Sequence, residues 1–406
     1  MKLRLQLFIF MLLRIILNTM HRMVYPFLSV FAQGLCVDVT AISLALAGRN
    51  FVGIFGPFLV PLANRRGRRF GMLAGITAFT LGVSLVALYP NLFTLSAALI
   101  LAILSKTLFD PTLQAYLGDR VAYEQRGTAL AITEMSWSLA FILGVPGMGY
   151  LIGRFGWSSP FPVLALSGLV IFAVIWRMIP KDDLQPGMDD HDRKSSERLS
   201  QRTASILASI PALAGISIGL WGSAANEMVT LIFGVWLANS FGLQIAALAG
   251  ASVVIGLSEL SGEGLVALIT DRLGKPQAVT IGLIGNILAS ILLPIIGRTE
   301  TGALIGLFFF YISFEFMVVS LLPLMTESMP QARATGMALN LVGFGIGRSL
   351  GALLSTFVYL RAGFFSVTLV AILFNIFGLM ALAVFQGKIS VLKHFIDWIK
   401  RAFKAG

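Results

Sequence analysis

The sequence is poor in charged residues. Only 12% of its 406 residues are Asp, Glu, Lys or Arg, whereas a soluble protein carries about 25%. Hydrophobic residues make up 57%, and the mean hydropathy is +0.87. The apolar residues form continuous runs of about 20, the length of helix that crosses a hydrocarbon core of about 30 Å. Because a backbone in lipid must satisfy its own hydrogen bonds, such runs predict membrane helices and exclude a set of soluble domains.

Cysteine and histidine are also scarce. The single cysteine, Cys36, excludes an intramolecular disulfide. The three histidines, His21, His191 and His394, lie too far apart in sequence to suggest a metal cluster. We therefore expect no metal and no cofactor.

Motifs for enzymatic chemistry are missing or misplaced. No G-x-x-x-x-G-K-[ST] phosphate loop is present, so direct coupling to ATP is not expected. The segment 215–219, GISIG, matches the G-x-S-x-G pattern of hydrolases. It lies inside an apolar run, without a preceding strand or a convincing histidine partner. We therefore expect no catalytic residues and no enzymatic activity.

The apolar runs predict an all-α membrane protein with twelve spans. They cover residues 5–33, 40–62, 70–90, 92–117, 128–152, 158–179, 206–236, 243–270, 277–297, 302–326, 335–358 and 364–386. Most connections are short, but the polar segment 181–204 is typical of a solvated linker. The predicted organisation is a six-helix bundle over 1–180, this linker, a second six-helix bundle over 205–387 and a tail over 388–406.

Lys and Arg are unevenly distributed between the two sides of the membrane. About 22 of the 30 lie in segments on the side of the N-terminus, and about three lie on the opposite side. The positive-inside rule therefore places both termini and the linker in the cytoplasm of a multi-pass protein of the inner (plasma) membrane. The net charge of +11 follows from this topology, so no nucleic-acid partner is expected.

The C-terminal tail has a helical pattern of its own. Between residues 389 and 404, apolar residues recur at helical spacing with Lys and Arg interspersed. This pattern is typical of an amphipathic helix that lies on anionic lipid, so membrane lipids are an expected partner. The alternative is a solubilising end to the last span.

Two loops are repeated at one offset along the chain. The loop after span 2 reads NRRGR over 64–68, and the loop after span 8 reads DRLGK over 271–275. The loops after spans 4 and 10 contain RGTALA over 126–131 and RATGMA over 333–338, at the same offset. One duplication explains both pairs. It predicts two parallel six-span repeats with a substrate site near the midplane between them.

These loops resemble the D-R-x-G-R/K signature of the major facilitator superfamily, and the resemblance covers the whole chain. It implies that superfamily's fold, with two pseudo-symmetric six-helix bundles. The loops are then expected to hold a cytoplasmic gate, through Asn64, Arg65, Gly67, Arg68, Asp271, Arg272, Gly274 and Lys275. Asn64 and Val60 stand where the family usually has Asp and Gly, so the gate interaction of the first half is expected to differ.

A second, looser resemblance lies in span 5. Residues 144–149 read GVPGMG. They resemble the Gly-Pro-Gly-Gly motif of the superfamily's antiporters, with the proline shifted by one. The resemblance implies exchange of a substrate against an ion.

Charged residues occur at membrane depth on eight of the twelve predicted spans. Each costs at least about 2.5–3.5 kcal/mol near the bilayer centre, so such groups usually mark a pathway. Helical spacing places them, with nearby polar residues, on faces that we expect to line one cavity. The predicted substrate-contacting residues are Arg14, Asn18, His21, Arg22, Tyr25, Arg49, Lys106, Glu227, Glu315 and Arg348. Spans 3, 6, 9 and 12 carry no such charge, which agrees with the lipid-facing positions that the resemblance implies for them.

Four further carboxylates are predicted proton carriers, because burial disfavours the charged form of a carboxyl group. They are Asp110, Glu134, Glu259 and Glu263. Glu259 and Glu263 lie one helical turn apart and would tend to hold a proton between them. The alternative for any single residue is a structural ion pair, such as Lys106 with Asp110, or Arg348 with an acid of the other half.

These features predict a secondary transporter that moves a small organic or amphipathic molecule by alternating access, in proton-coupled efflux. We expect a monomer whose partners are a small-molecule substrate, protons and lipids. Two other transport hypotheses stay open. One is a symporter or uniporter for an anionic or zwitterionic metabolite, favoured by the cations of the first half, and the other is a carrier of lipid-like substrates. A non-transporting membrane sensor is a minor alternative.

Overall fold

The computed structural model describes residues 3–56, 59, 66–180, 209–328 and 333–387, and every regular element in those ranges is a helix. The predicted all-α class is therefore confirmed. In chain order the helices are α1 (Leu3–Arg22), α2 (Leu28–Gly34), α3 (Val39–Gly53), α4 (Arg68–Leu88), α5 (Leu92–Arg120), α6 (Tyr123–Glu134), α7 (Ser136–Leu139), α8 (Val145–Phe155), α9 (Pro160–Met178), α10 (Ile210–Phe241), α11 (Ile245–Leu273), α12 (Lys275–Ile296), α13 (Glu300–Ser328) and α14 (Arg333–Phe385), with a π-helical turn at Ala140–Gly144 between α7 and α8. The predicted linker 181–204 and tail 388–406 lie outside the described residues.

The helices are long enough to cross a membrane repeatedly. Within the described ranges, ten are long and apolar enough to span it, or eleven if α2 and α3, which meet at a bend of 116°, form one span. The longest, α14, covers predicted spans 11 and 12 and is broken at Gly363, which has φ 73° and ψ −177°. The protein is therefore a multi-pass helical membrane protein.

Predicted span 1 is not one continuous helix. The turn at residues 23–27 separates α1 from α2. Pro26 lies in this turn, where it lacks a backbone N–H and disfavours helical geometry at the preceding residue. Tyr25 therefore leaves the helical path at membrane depth.

The helices without membrane-depth charges lie at the periphery. Helix α4 packs against α5 and α9, while α12 packs against α13 and α14. Large apolar side chains on their outer faces are exposed, including Leu81, Leu166, Leu288 and Leu373. These faces suit contact with lipid, so the charged helices are left for the centre.

Small residues bring α10 and α14 into close contact. A Cβ atom at Gly347 would lie 2.0 Å from the carbonyl oxygen of Leu220, and one at Gly351 would lie 2.6 Å from that of Ala224. Only glycine fits at this separation. The glycine spacing of span 11 thus reflects helix packing.

Several helix pairs join the first half (residues up to 180) to the second half (residues from 209). Helix α3 packs against α14, α7 and α8 pack against α11, and α2 packs against α10. The hydroxyl groups of Ser43 and Thr356 lie 2.7 Å apart across this junction. A Cβ atom at Gly234 would lie 2.4 Å from the carbonyl oxygen of Pro26, so α10 is also tightly apposed to the first half.

Candidate functional site

A cavity of about 750 Å³ lies between the two halves. This volume falls in the range of sites that bind small organic molecules. Eleven of the predicted site residues line it: Arg14, His21, Arg22, Tyr25, Lys106, Asp110, Glu134, Glu227, Glu259, Glu315 and Arg348. The structure therefore brings together, around one space, charges that are spread over more than 330 positions of sequence, from 14 to 348.

Asn18 and Arg49 lie behind the lining instead of in it. The Asn18 side-chain oxygen accepts a hydrogen bond of 2.7 Å from the Lys106 ammonium. Arg49 is fully buried and donates to the Tyr25 hydroxyl at 2.6 Å and to the His21 carbonyl oxygen at 2.9 Å. Both residues hold a neighbouring lining residue in place.

The first half contains a closed cluster of charges. The Arg14 guanidinium lies 3.0 Å from Asp110 and makes two hydrogen bonds to Glu134, at 2.9 and 3.0 Å. Lys106 lies 2.7 Å from Asp110, which is the structural ion pair considered from the sequence. Two cations thus face two carboxylates within the same half. Arg14 and Lys106 are therefore neutralised within their own half and do not form an open anion site.

A second ion pair crosses between the halves. Arg22 on α1 makes two hydrogen bonds to Glu259 on α11, at 2.7 and 2.5 Å, and a third to the Trp137 carbonyl oxygen at 3.0 Å. Its guanidinium lies 3.5 Å from the ring centre of Phe141 and 4.2 Å from that of Trp137. Both charged side chains are at most 5% exposed. A planar fork that meets a carboxylate in this way is the strongest and most directional form of ion pair.

Glu259 and Glu263 differ from the expected pair of carboxylates that share a proton. Glu259 is engaged by Arg22, while Glu263 accepts a hydrogen bond of 3.3 Å from the Ser138 hydroxyl and does not line the cavity. A cation at hydrogen-bond distance satisfies a carboxylate better than a second carboxylate does. The pairing therefore depends on α1, which the spacing along α11 cannot reveal.

A chain of polar groups forms another link between the halves. The Tyr25 hydroxyl donates to Glu227 at 2.9 Å while it accepts from Arg49 at 2.6 Å. Asn50 donates to the same Glu227 oxygen at 3.3 Å. Tyr25 can take both roles because the turn around Pro26 points its ring between α3 and α10. A carboxylate of the second half is thus bonded to two residues of the first, and Arg49 holds both of them in place.

The cavity lining also contains aromatic residues that were not predicted, among them Trp137 and Tyr311. Trp137 lies with its ring 5.0 Å from the Lys106 ammonium and 5.8 Å from the Arg348 guanidinium, distances at which a ring face attracts a cation. Tyr311 lines the cavity one turn before Glu315. Trp137 lies three residues after Glu134, and Tyr311 lies four residues before Glu315, so helical spacing from a predicted acid could have indicated both. Aromatic residues are common in membrane helices, so this spacing did not single them out.

Glu315 and Arg348 have no polar partner in the part of the chain that the structure describes. Glu315 lines the cavity and is 8% exposed. Arg348 lines it opposite Trp137, and the ion pair with an acid of the first half that the sequence allowed does not form. These two groups are therefore available to a bound molecule.

The repeated loops have matching structures in the two halves. Gly67 and Gly274, which precede α4 and α12, adopt φ of 97° and 84°, and glycine is the residue that tolerates such values. The next residue forms an ion pair in each half, Arg68 with Asp119 at 3.2 Å and Lys275 with Glu327.

The other predicted gate residues give less information. Asp271 and Arg272 are exposed, and Asn64 and Arg65 lie outside the described residues. The repeat is thus visible in the backbone conformation and in one ion pair in each half. A gate contact between the halves stays a prediction.

Comparison with known proteins identifies a family. The family model described as the Major Facilitator Superfamily matches residues 8–352. An uncharacterized MFS-type transporter of Bacillus subtilis, YwfA, is 26% identical over 376 residues, which cover 89% of this chain and 87% of that protein. A probable sugar efflux transporter of Pasteurella multocida is 24% identical, with coverage of 93% and 91%. The inner membrane transport protein YdhP of Escherichia coli is 24% identical, with coverage of 80% and 81%.

Solved structures share the fold at low sequence identity. A POT family transporter in complex with 5-aminolevulinic acid superposes with a TM-score of 0.74 at 14% identity, covering 94% of this chain and 96% of that one. The nucleoside transporter NupG gives 0.72 at 13% identity, with coverage of 93% and 99%. Similarity at this level of identity concerns the fold alone.

Proposed function

The chain belongs to the major facilitator superfamily, and we propose that it exports a small organic or amphipathic molecule by alternating access, in exchange for protons. The family establishes a multi-pass membrane transporter and not an enzyme. The nature of the substrate, the direction and the coupling ion belong to the proposal. So do the division into bundles at 1–180 and 205–387, the monomeric state and the cytoplasmic position of both termini in the inner membrane.

The cavity between the halves carries the proposal. Among the described residues that line it, five are carboxylates and four are cations: Asp110, Glu134, Glu227, Glu259 and Glu315 against Arg14, Arg22, Lys106 and Arg348. An uncompensated carboxylate at membrane depth is costly, so the excess favours uptake of a proton or of a cationic group. This imbalance supports proton exchange at the cavity.

The apolar part of the lining supports an amphipathic substrate. Six aromatic side chains of the described residues face the same space as the charges: Tyr25, Trp137, Phe141, Tyr311, Phe314 and Phe344. Aromatic rings provide large contact areas for an apolar body. A molecule with both a polar and an apolar part would satisfy the two kinds of lining at once.

The links between the halves offer a way to couple protons to movement. The contacts of Arg22 with Glu259 and of Tyr25 with Glu227 join opposite halves, so they must change when the halves rock against each other. Protonation of either glutamate would weaken its link, because a neutral carboxyl group gives a weaker hydrogen bond than a carboxylate. Proton binding would thereby favour the movement.

Two observations support the outward direction. The Pasteurella multocida relative is described as a probable efflux transporter. The segment 144–149 of span 5 also resembles the Gly-Pro-Gly-Gly motif of the superfamily's antiporters. The alternative, a symporter or uniporter for an anionic or zwitterionic metabolite, is favoured by the unpaired Arg348.

Proton movement in sealed proteoliposomes tests the proposal. A pH-sensitive dye trapped inside would report the response to a panel of candidate substrates, for the wild type and for Glu259→Gln, Glu263→Gln and Asp110→Asn. Asp38→Asn is the matched control, because Asp38 is exposed, lies outside the cavity and makes no side-chain hydrogen bond to the start of α3.

We expect a substrate-triggered pH change that at least one of the three carboxylate variants abolishes and that the control retains. Substrate movement without any proton flux would overturn proton coupling and favour uniport.

A further inference from the structure

The charged residues of the cavity divide into paired and unpaired groups. Within the described residues, every charged lining side chain has a hydrogen-bond or ion-pair partner except Glu315 and Arg348. The two carry opposite charges. Both belong to the second half, on α13 and α14, two helices that pack against each other.

Glu315 lies in a region rich in carboxylates. A Cβ atom at Gly262 would lie 2.8 Å from the Glu315 Cβ, and Gly262 lies between Glu259 and Glu263 on α11. Arg22, which reaches this patch, is bonded to Glu259. Glu315 is therefore placed to receive a positive group from outside the protein.

Arg348 lies in a different environment. It is partly buried, with its guanidinium 5.8 Å from the Trp137 ring centre, and Phe344 lines the cavity one turn before it. Among the carboxylates that line the cavity, Asp110 and Glu134 are bonded to Arg14. Arg348 is therefore placed to receive a negative group.

Two opposite charges that face one cavity without partners call for a ligand that supplies both. An isolated charge in this environment is costly, and a ligand that brings the opposite charge removes the cost. An anion alone would satisfy Arg348 and leave Glu315 unpaired, whereas a cation alone would do the reverse.

We propose that Glu315 and Arg348 bind the ammonium and carboxylate groups of a zwitterionic organic substrate, whose apolar body lies against the aromatic lining. This inference rests on the proposed transport function and names its substrate class. It is tested by binding to the purified chain, without any ion gradient, so that its outcome is independent of proton coupling.

The experiment measures thermal stabilisation of the full chain in detergent by matched sets of three compounds. For each aromatic and aliphatic amino acid, the set comprises the free zwitterion, the cationic amide and the anionic N-acetyl derivative. We expect the tightest zwitterion to bind at least about tenfold more strongly than its amide or its N-acetyl derivative, since a hydrogen bond to a charged group has about this effect.

Two variants assign the groups. Glu315→Gln should remove the preference for the free amino acid over its N-acetyl derivative, while Arg348→Gln should remove the preference over its amide. Arg154→Gln, an exposed change outside the cavity, should keep both preferences. Melting of each variant without ligand shows that it is folded.

Two results would overturn the inference. One is an amide or N-acetyl derivative that binds the wild type as tightly as the zwitterion does. The other is the absence of any stabilisation by the zwitterions. In either case a substrate of another class can still trigger a pH change in the vesicle assay. The vesicle assay therefore tests the proposed function independently of this inference.

Discussion

Charged residues at membrane depth were visible in the sequence, but their partners were not. Glu259 stands out because apolar residues surround it, and the cavity position predicted for Arg22 agrees with the structure. The bond between them joins residues 237 positions apart. It depends on where α1 and α11 approach each other, and residue spacing and composition do not predict which helices come into contact. Sequence reasoning therefore found most of the lining and misassigned the partner of Glu259.

Removal of one partner of the Arg22–Glu259 pair should destabilise the protein. Arg22→Gln should lower stability by about 3 kcal/mol or more, because the buried Glu259 carboxylate loses the cation bonded to it. The double change Arg22→Met with Glu259→Met should recover most of the loss, since no charge is then left unpaired. Thermal melting in detergent measures both.

The exposed pair Arg68–Asp119 is the control for that measurement. These side chains are 32% and 60% exposed, so Arg68→Gln should cost less than about 1 kcal/mol. Equal losses at the two pairs would contradict the account of burial given for Arg22.

At the scale of helices, regular segments were predictable and breaks were not. The glycine spacing of span 11 indicates close packing, and α14 uses these glycines against α10. The turn at residues 23–27 was missed, although Pro26 was its signal, because hydrophobicity continues through it. That break places Tyr25 between the halves, so an unpredicted irregularity contributes directly to the candidate site.

Helix separation at one glycine should affect stability. In Gly347→Ala the new methyl group would lie 2.0 Å from the Leu220 carbonyl oxygen and 2.3 Å from the Ser223 hydroxyl oxygen, so α10 and α14 must move apart. Overpacking of this kind typically costs about 1–3 kcal/mol. Gly250→Ala on α11 has no atom within 4 Å and should be neutral or slightly stabilising. Comparison of their melting temperatures checks this, and a neutral Gly347→Ala would contradict it.

At the scale of the whole molecule, the repeated loops of the sequence predict two similar halves. In the structure, Gly67 and Gly274 both have positive φ, and the residue after each of them forms an ion pair. The gate contacts expected at Asn64 and Arg65 could not be placed, because those residues lie outside the described chain.

The predicted orientation can be read from the single cysteine. Cys36 is exposed and lies between α2 and α3, on the side opposite the N-terminus. A membrane-impermeant maleimide should therefore label it in intact spheroplasts. Asp119→Cys in a Cys36→Ser background should be labelled only after permeabilisation. The reverse pattern would show that the termini face outward.

The central claim is that substrate moves through the cavity because the two halves rock against each other. The most direct measurement is substrate-driven flux in a Cys36→Ser protein with a disulfide between the halves, made by Ser43→Cys and Thr356→Cys, whose native hydroxyl groups lie 2.7 Å apart. A disulfide within the second half, made by Thr270→Cys and Ser320→Cys, is the matched control, since those hydroxyl groups are 3.1 Å apart. We expect oxidation to stop flux in the first protein, with recovery on reduction, and to leave flux in the second. Undiminished flux through a fully cross-linked Ser43–Thr356 junction would contradict movement of the halves as the basis of transport.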